Sequence, residues 1–241
     1  LKLGSWDVRD FAEPIRTLLR YLKVPFDDVR YRYELLTAPK MIKAQTTVMR
    51  WHETRDSLGL AFPDLPYLID GDLRITQSIA ILKHIARKYG LRHFSADLYA
   101  IAHEEMIEAQ LVDLRARLMI VLIDQEQRQN SVLRRELHRR VEQLEQWITA
   151  KQSRWLLGDT LSYVDFLAHE CIDWYRAEIN PTRFDAQFSA LSTFMQRFEA
   201  LPQLVDYFAS DSFRKASFIF DSTDSAKETA ETVATTKITI A

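Results

Sequence analysis

The chain changes character near residue 90, and that one change limits the folds it can adopt. Up to Ile75, short β-rich runs alternate with helical ones; after Gly90 only helical periodicity remains. Lys2–Trp6 predicts a strand, and Glu13–Leu22 a helix that tolerates Pro14 in its first turn. Asp28–Tyr33 predicts a second strand, followed by a polar stretch with a short helical piece near Val48–Asp56. Pro66–Ile69 and Leu73–Ile75 flank Asp70-Gly71, a hairpin signal. Gln77–Tyr89 spaces Ile81, Leu82, Ile85 and Ala86 as a helix does. The order β-α-β-α-β-β-α describes a small α/β domain over residues 1–89. Ala96–Gln127, Leu133–Ile148, Tyr163–Ala177, Phe188–Leu201 and Pro202–Ala209 then predict an all-α domain over 90–216. Ser162 and Asp165 have capping-box spacing at one of these helix starts. Residues 217–241 are rich in Ser, Thr and Ala and read as a disordered tail.

Composition removes several function classes. The 241 residues carry a net charge of −2, which offers no single-signed field for nucleic acid or an anionic membrane. Five glycines and the absence of GxGxxG and GxxxxGK[ST] argue against dinucleotide-binding and P-loop enzymes. No apolar run approaches the ~20 residues of a membrane span, and the N-terminal Leu-Lys-Leu-Gly-Ser-Trp lacks the apolar core of a signal peptide. One cysteine, Cys171, excludes an intrachain disulfide framework. A soluble, cytoplasmic protein is the expectation.

Several chemistry-bearing residues have plain readings. The six histidines show neither HExxH nor Cys/His pairing, so no metal centre is expected. Arg134, Arg135, Arg139 and Arg140 are interspersed with Glu136, Glu142 and Glu145 and read as a solvated helix face. Cys171 sits among apolar helical neighbours, as a core residue would.

The segment Phe62-Pro63-Asp64-Leu65-Pro66-Tyr67, continuing to Ile75-Thr76-Gln77-Ser78-Ile79, is more informative. Leu65-Pro66 at the start of a strand is a candidate cis peptide that would turn backbone N–H and C=O outward for an extended peptide. Gln77-Ser78 lies where a strand runs into a helix, a place where N–H groups and a hydroxyl can grip a carboxylate. The plainer alternative is a tight turn and an ordinary N-cap.

That segment resembles the glutathione-binding stretch of cytosolic glutathione transferases. Leu3-Gly4-Ser5-Trp6-Asp7-Val8-Arg9 with Pro14-Ile15-Arg16 resembles the mu-class pattern L-G-Y-W-D-I-R-G…P-I-R. Leu58–Pro63 resembles L-G-L-D-F-P, and Trp155–Gly158 with Ser162–Phe166 resembles W-F-A-G…T-F-V-D-F. The likeness spans roughly residues 3–215. It implies a thioredoxin-like N-terminal domain followed by an all-helical one, a homodimer, glutathione as co-substrate with no further cofactor, and small hydrophobic electrophiles as second substrates. It also implies roles. Trp6 would line the pocket, Trp51 and Arg55 would hold the glycine carboxylate, and Leu65 with cis Pro66 would meet the cysteinyl backbone. Gln77 and Ser78 would bind the γ-glutamyl carboxylate, and Asp113 would reach across the dimer to the γ-glutamyl amine. Phe62 and Arg87 would lie in the dimer interface. Ala116, Met119, Ile120 and Ile123 would line the hydrophobic-substrate pocket.

The departures are as informative as the matches. Ser5 stands at the catalytic Tyr position, where a phenol donates to the glutathione sulfur and favours its thiolate. At the same Cα, a serine hydroxyl should fall short of ~3.2 Å from the sulfur unless a water bridges the gap. Ile123 replaces a second tyrosine, Asp64 an Asn, and Asp10 the Gly after the I-R pair; Val48 stands at a guide-Arg position, with Arg50 nearby. The losses concentrate on sulfur chemistry, while scaffold motifs and most peptide-gripping groups persist. Two functions follow: a transferase of weak or altered activity using Ser5, or a non-catalytic dimer that binds glutathione or apolar ligands.

Overall fold

A computed structural model describes residues 1–31, 51–91 and 98–219. Strands β1 (Lys2–Trp6), β2 (Asp27–Tyr31), β3 (Tyr67–Asp70) and β4 (Leu73–Thr76) form a sheet of order β2-β1-β3-β4. β1 runs parallel to β2 and antiparallel to β3, and β3 pairs antiparallel with β4 through the Asp70↔Leu73 hairpin. Helix α1 (Glu13–Tyr21) makes the crossover that the parallel pair requires. Gly4 faces Tyr67 in this register, and a Cβ there would lie 2.1 Å from the Tyr67 ring. The missing side chain lets that ring stack on Trp51 and its hydroxyl meet Tyr31 Oη at 3.0 Å. Trp51 opens the short α2 (Trp51–Thr54), and α3 (Ser78–Lys88) closes the α/β part.

The rest is helical: α4 (Leu98–Ile123), α5 (Gln125–Arg128), α6 (Ser131–Lys151), α7 (Tyr163–Ile179), α8 (Pro181–Gln187), α9 (Ser189–Glu199), α10 (Val205–Ala209) and α11 (Asp211–Arg214). The expected helix over 96–127 ends early. Asp124 leaves the helical conformation and accepts from the N–H groups of Glu126 and Gln127, capping α5 as a separate helix. Asn130 caps α6 in the same way. In α4, buried Ile107, Leu111, Leu114, Leu118 and Val121 recur every three or four residues, the spacing of one helix face. They join Leu3, Ile15, Leu18, Ile81 and Phe166 in one apolar cluster that runs through both halves of the chain. Asp165 ties the loop before α7 to its first turn, accepting from Leu156 N–H at 2.9 Å and Ser162 N–H at 2.8 Å.

Of the tail expected over 217–241, the structure describes residues 217–219; residues 220–241 lie outside the described part. Ser217 and Phe218 dock on the loop between β1 and α1, their carbonyls accepting from Arg9 and Asp10 N–H, each at 2.8 Å. The reason is aromatic. Phe218 and Phe213 enclose the Arg9 guanidinium at 4.4 and 4.1 Å from their ring centres, and Phe218 also packs on Trp174.

Arg9 carries this junction. Its buried guanidinium donates to both oxygens of Glu170, at 3.0 and 2.6 Å, and meets Asp173 at 2.8 Å, both carboxylates lying on α7. Removing one member of such a buried pair leaves an uncompensated charge, at a cost of about 3–5 kcal/mol. Arg9→Ala is therefore expected to lower folding stability by about that amount in urea unfolding. Arg9→Lys should recover less than half, because a point charge cannot reproduce the planar fork.

Candidate functional site

β1 delivers Ser5 and Trp6 to its C-terminal end on opposite faces of the sheet, as strand alternation requires. Ser5 is 2% exposed, and its hydroxyl has partners on both sides. It donates to the Trp6 carbonyl at 3.0 Å and accepts from Arg16 Nη2. Arg16 is wholly buried on α1 and also donates to Val8 O at 3.0 Å, Asp28 at 3.1 Å and Glu13 at 3.3 Å. Nothing in the sequence pattern pointed to Arg16 as the group beneath Ser5.

Ser5, Trp6, Val8, Asp10, Ala12, Leu65 and Pro66 line a narrow slot that is too tight, as it stands, to admit a water molecule. Asp10 stands out chemically. It sits at φ +35°, a left-handed conformation that only small polar side chains and glycine adopt readily. The docked Phe218 carbonyl fixes its N–H there. Its Oδ1 is buried with no hydrogen-bond partner among the described residues. Burial pushes the Asp10 carboxyl up to about 7, against the opposing pull of the Arg115 guanidinium and the Phe11 N–H.

Beside the slot, the Leu65–Pro66 peptide is cis. The Leu65 N–H donates to the Asp64 carboxylate at 2.8 Å. Thr76 Oγ1 ties the end of β4 to the Phe62 carbonyl at 2.9 Å. Gln77 follows at φ +74°, exposed, and Ser78 begins α3 with its side chain nearly buried. Arg115 of α4 lies behind Ser78, with Nη2 at 3.5 Å from Ser78 Oγ and the guanidinium 4.2 Å above the Phe11 ring. Its Nη1 is buried and without a partner among the described residues. The sequence reading missed Arg115, which no local pattern marks: on α4 it is buried while Asp113, two residues earlier, is exposed.

Trp51 and Leu65 pack with Tyr31, Leu60 and Tyr67 in a second, smaller apolar cluster against which Trp6 rests. Arg55 follows α2 in a 3-10 turn, half-exposed and 3.5 Å from Asp56. Asp113 is exposed and paired within the chain to Arg140 at 3.3 Å and Arg117 at 3.5 Å. Ala116, Ile120 and Ile123 fall on an exposed stripe of α4, with Met119 partly covered beside them. Phe62 and Arg87 are exposed, Phe62 at 77%. Cys171 is a core residue, its thiol pushed up to about 12 by burial. Val48 and Arg50 lie outside the described residues.

Comparison with known proteins gives this geometry a family. Residues 1–87 match the glutathione S-transferase N-terminal domain, and residues 112–211 match the glutathione S-transferase C-terminal domain. Glutathione S-transferase 2 of Gallus gallus is 35% identical over 215 residues, covering 89% of this chain and 92% of its own. Glutathione S-transferase Mu 1 of Mus musculus is 34% identical over 212 residues, covering 88% and 91%. The crystal structure of glutathione S-transferase Blo t 8 superposes with a TM-score of 0.78 at 42% identity, covering 91% of this chain and 97% of that one. A chain with both family domains in order, mu-class relatives along nearly its whole length and the matching fold belongs to the glutathione S-transferase family.

Proposed function

We propose that the chain binds reduced glutathione and conjugates it to small hydrophobic electrophiles, with a sulfur site altered at two residues. The observation that carries this reading is the cis Leu65–Pro66 peptide beside Ser5, Trp6 and Asp10, next to the Gln77-Ser78 start of α3, in a chain of the glutathione S-transferase family. The peptide would extend from the slot toward Trp51 and Arg55 at one end. At the other, its γ-glutamyl carboxylate would meet the Ser78 hydroxyl and the first N–H groups of α3, with the Arg115 guanidinium behind them. The electrophile would lie on the Ala116, Met119, Ile120 and Ile123 stripe.

Sulfur activation is where this chain differs. Ser5 has its proton on the Trp6 carbonyl and its oxygen on Arg16, which leaves the thiol without the donor that the resemblance assigns to this position. Asp10 lines the same slot, and its Oδ1 is buried without a hydrogen-bond partner among the described residues. Protonated, it can donate to a thiolate; ionised above about pH 7, it opposes one. Asp10 thereby reverses its influence on the sulfur within the neutral range. A second reading, a glutathione binder that does not turn over, is favoured by the engaged Ser5 hydroxyl alone.

A homodimer and a cytoplasmic setting complete the proposal. Phe62, Leu98 and Tyr99 are 77%, 76% and 81% exposed, more apolar surface than a monomer needs to show. No helix of the described residues is long and apolar enough to cross a membrane.

Five outcomes test the proposal. The protein should bind reduced glutathione in calorimetry and conjugate a chlorodinitrobenzene weakly; a bound thiol that titrates no lower than the free one would establish the non-catalytic reading. Ser5→Tyr with Asp10→Gly, which gives the phenol the space Asp10 occupies, should raise the conjugation rate by ~10²–10³, the scale of one preorganised donor. Asp10→Asn keeps a residue tolerant of positive φ and removes the charge, so the bound-thiol pKa should drop by about one unit, as followed by thiolate absorbance. The same variant reports on stability. The raised Asp10 value stabilises the fold at low pH, and that contribution is lost as pH climbs from about 4 through about 7. Asp10→Asn should match the parent near pH 4 and exceed it by about 2–4 kcal/mol at pH 8. Finally, Phe62→Lys should shift the sedimentation of a dimer toward the monomer.

A further inference from the structure

We propose that Ser217 is a phosphorylation site for a serine kinase that prefers basic substrates, and that a phosphate there loosens the docking of the C-terminal segment on the loop between β1 and α1. Ser217 is not among the residues that line the slot, and the proposal goes beyond the function given above without depending on it.

Sequence and exposure together single out this hydroxyl. In Arg214-Lys215-Ala216-Ser217-Phe218, Ser217 is the only serine or threonine of the chain with Lys or Arg both three and two positions before it. Two cations, a hydroxyl and an apolar residue in that order suit an acidic peptide groove, and charge pattern is one way kinases tell substrates apart. The fold keeps these groups presentable. Ser217, Arg214 and Lys215 are exposed, while Phe213 and Phe218 on either side are partly covered and anchor on Arg9. Neither cation is committed to the core. Lys215 pairs with Asp211 at 2.8 Å where both are exposed, and Arg214 Nε reaches the Phe208 carbonyl only at 3.4 Å. A kinase must draw its substrate out straight, and this segment yields easily. α11 has four residues, none of them buried and no side-chain cap, and no described residue beyond Arg214 is helical. Ser131, which has Arg128 three positions before it, instead opens the 21-residue α6 and cannot be extended without unwinding it.

Modification adds charge where the junction has the wrong sign for it. The Ser217 hydroxyl oxygen attacks the γ-phosphorus of ATP, the bond from that phosphorus to ADP breaks, and the hydroxyl proton passes to the kinase's aspartate. The product carries about −1.5 to −2 charges at neutral pH. Ser217 and Phe218 hold to the loop through two carbonyls, on the Arg9 and Asp10 N–H groups. The Arg9 guanidinium is already met by Glu170 and Asp173, and Asp10 brings a third carboxyl to the junction. A phosphate on the residue that bonds the Arg9 amide therefore meets more carboxyl groups than free cations. It also competes for Lys215 against Asp211 and for Arg214 against the Phe208 carbonyl, the side-chain bonds that steady α11. The segment is released more easily, and the helical core beneath it stays folded. The Asp10 N–H carries the change to the slot; only its meaning for sulfur chemistry rests on the function proposed above.

The test incubates the full chain with ATP and the catalytic subunit of cyclic-AMP-dependent protein kinase, and locates phosphate by peptide mass spectrometry. The expected result is phosphate on Ser217 that is absent from Ser217→Ala and forms at least about tenfold more slowly in Arg214→Glu/Lys215→Glu. Both variants change exposed side chains and should keep the parental circular dichroism. In hydrogen exchange, the Arg9 and Asp10 amides of the phosphorylated chain should exchange at least about threefold faster than those of the unmodified chain, with the amides of α7 as protected as before. A chain that takes up no phosphate, or takes it up equally as Ser217→Ala, overturns the site. Exchange at Arg9 and Asp10 that is unchanged or slower after phosphorylation overturns the loosening. Neither readout involves glutathione, so a chain that failed to bind glutathione would overturn the proposed function and leave this result standing.

Discussion

The buried Arg9 guanidinium is the contact on which the rest of this structure turns. It leaves the loop after β1, passes between Phe213 and Phe218, and ends on Glu170 and Asp173 of α7. Three parts of the chain that are far apart in sequence are joined by one side chain. A buried ion pair is weak evidence for net stability, because desolvation offsets much of its attraction. Its value here is geometric. With Arg9 held, its neighbour Asp10 is fixed by the Phe218 carbonyl, and the wall of the slot is set at a resolution that flexible loop contacts would not give. The C-terminal segment is thus part of the site's frame, although none of its residues lines the slot.

A second buried guanidinium explains why Ser5 is locally coherent although it is wrong for sulfur chemistry by the family pattern. Arg16 carries five N–H donors and is wholly buried, so each needs an acceptor. Val8 O, Glu13, Asp28, the Ser5 hydroxyl and the Trp6 carbonyl provide them. The Asp64 carboxylate is engaged in the same local way, accepting from the Leu65 N–H beside the cis peptide.

What the sequence made legible depended on how local the signal was. Strand alternation in β1, the Asp70-Gly71 hairpin and the heptad-like stripe of α4 are written in neighbouring residues, and the elements appear within a few residues of expectation. The candidate cis peptide at Leu65-Pro66 and the strand-to-helix junction at Gln77-Ser78 were legible for the same reason. The failures were tertiary. Phe218 lies in a stretch of disordered composition, and only Arg9, more than two hundred residues earlier, makes it part of the fold. Asp124 read as one more helical residue, yet its side chain finds two N–H groups and ends α4. The direction of the Ser5 hydroxyl and the position of Arg115 behind Ser78 depend on which helix faces meet, which periodicity alone does not specify.

Backbone conformation separates scaffold from site more cleanly than burial does. Five non-glycine residues among those described have positive φ: Asp10, Lys23, Gln77, Gln152 and Asn180. Lys23 follows the end of α1, Gln152 caps the end of α6, and Asn180 sits between α7 and α8. A left-handed residue at such a helix end satisfies terminal carbonyls, which accounts for Lys23 and Gln152. Asn180 (φ +83°, ψ 131°) and Gln77 (φ +74°, ψ 108°) share a different positive-φ region and each precedes a helix; the Asn180 side chain accepts from the Thr182 N–H, and Gln77 makes no such cap bond. Asp10 begins a 3-10 turn at φ +35°, at a cost on the order of 1–3 kcal/mol. Asp10 and Gln77 both flank the seat proposed for the peptide, one at the sulfur and one at the γ-glutamyl end. The strain is more specific than the family resemblance, because at Asp10 it persists where the resemblance has a glycine that would have avoided it.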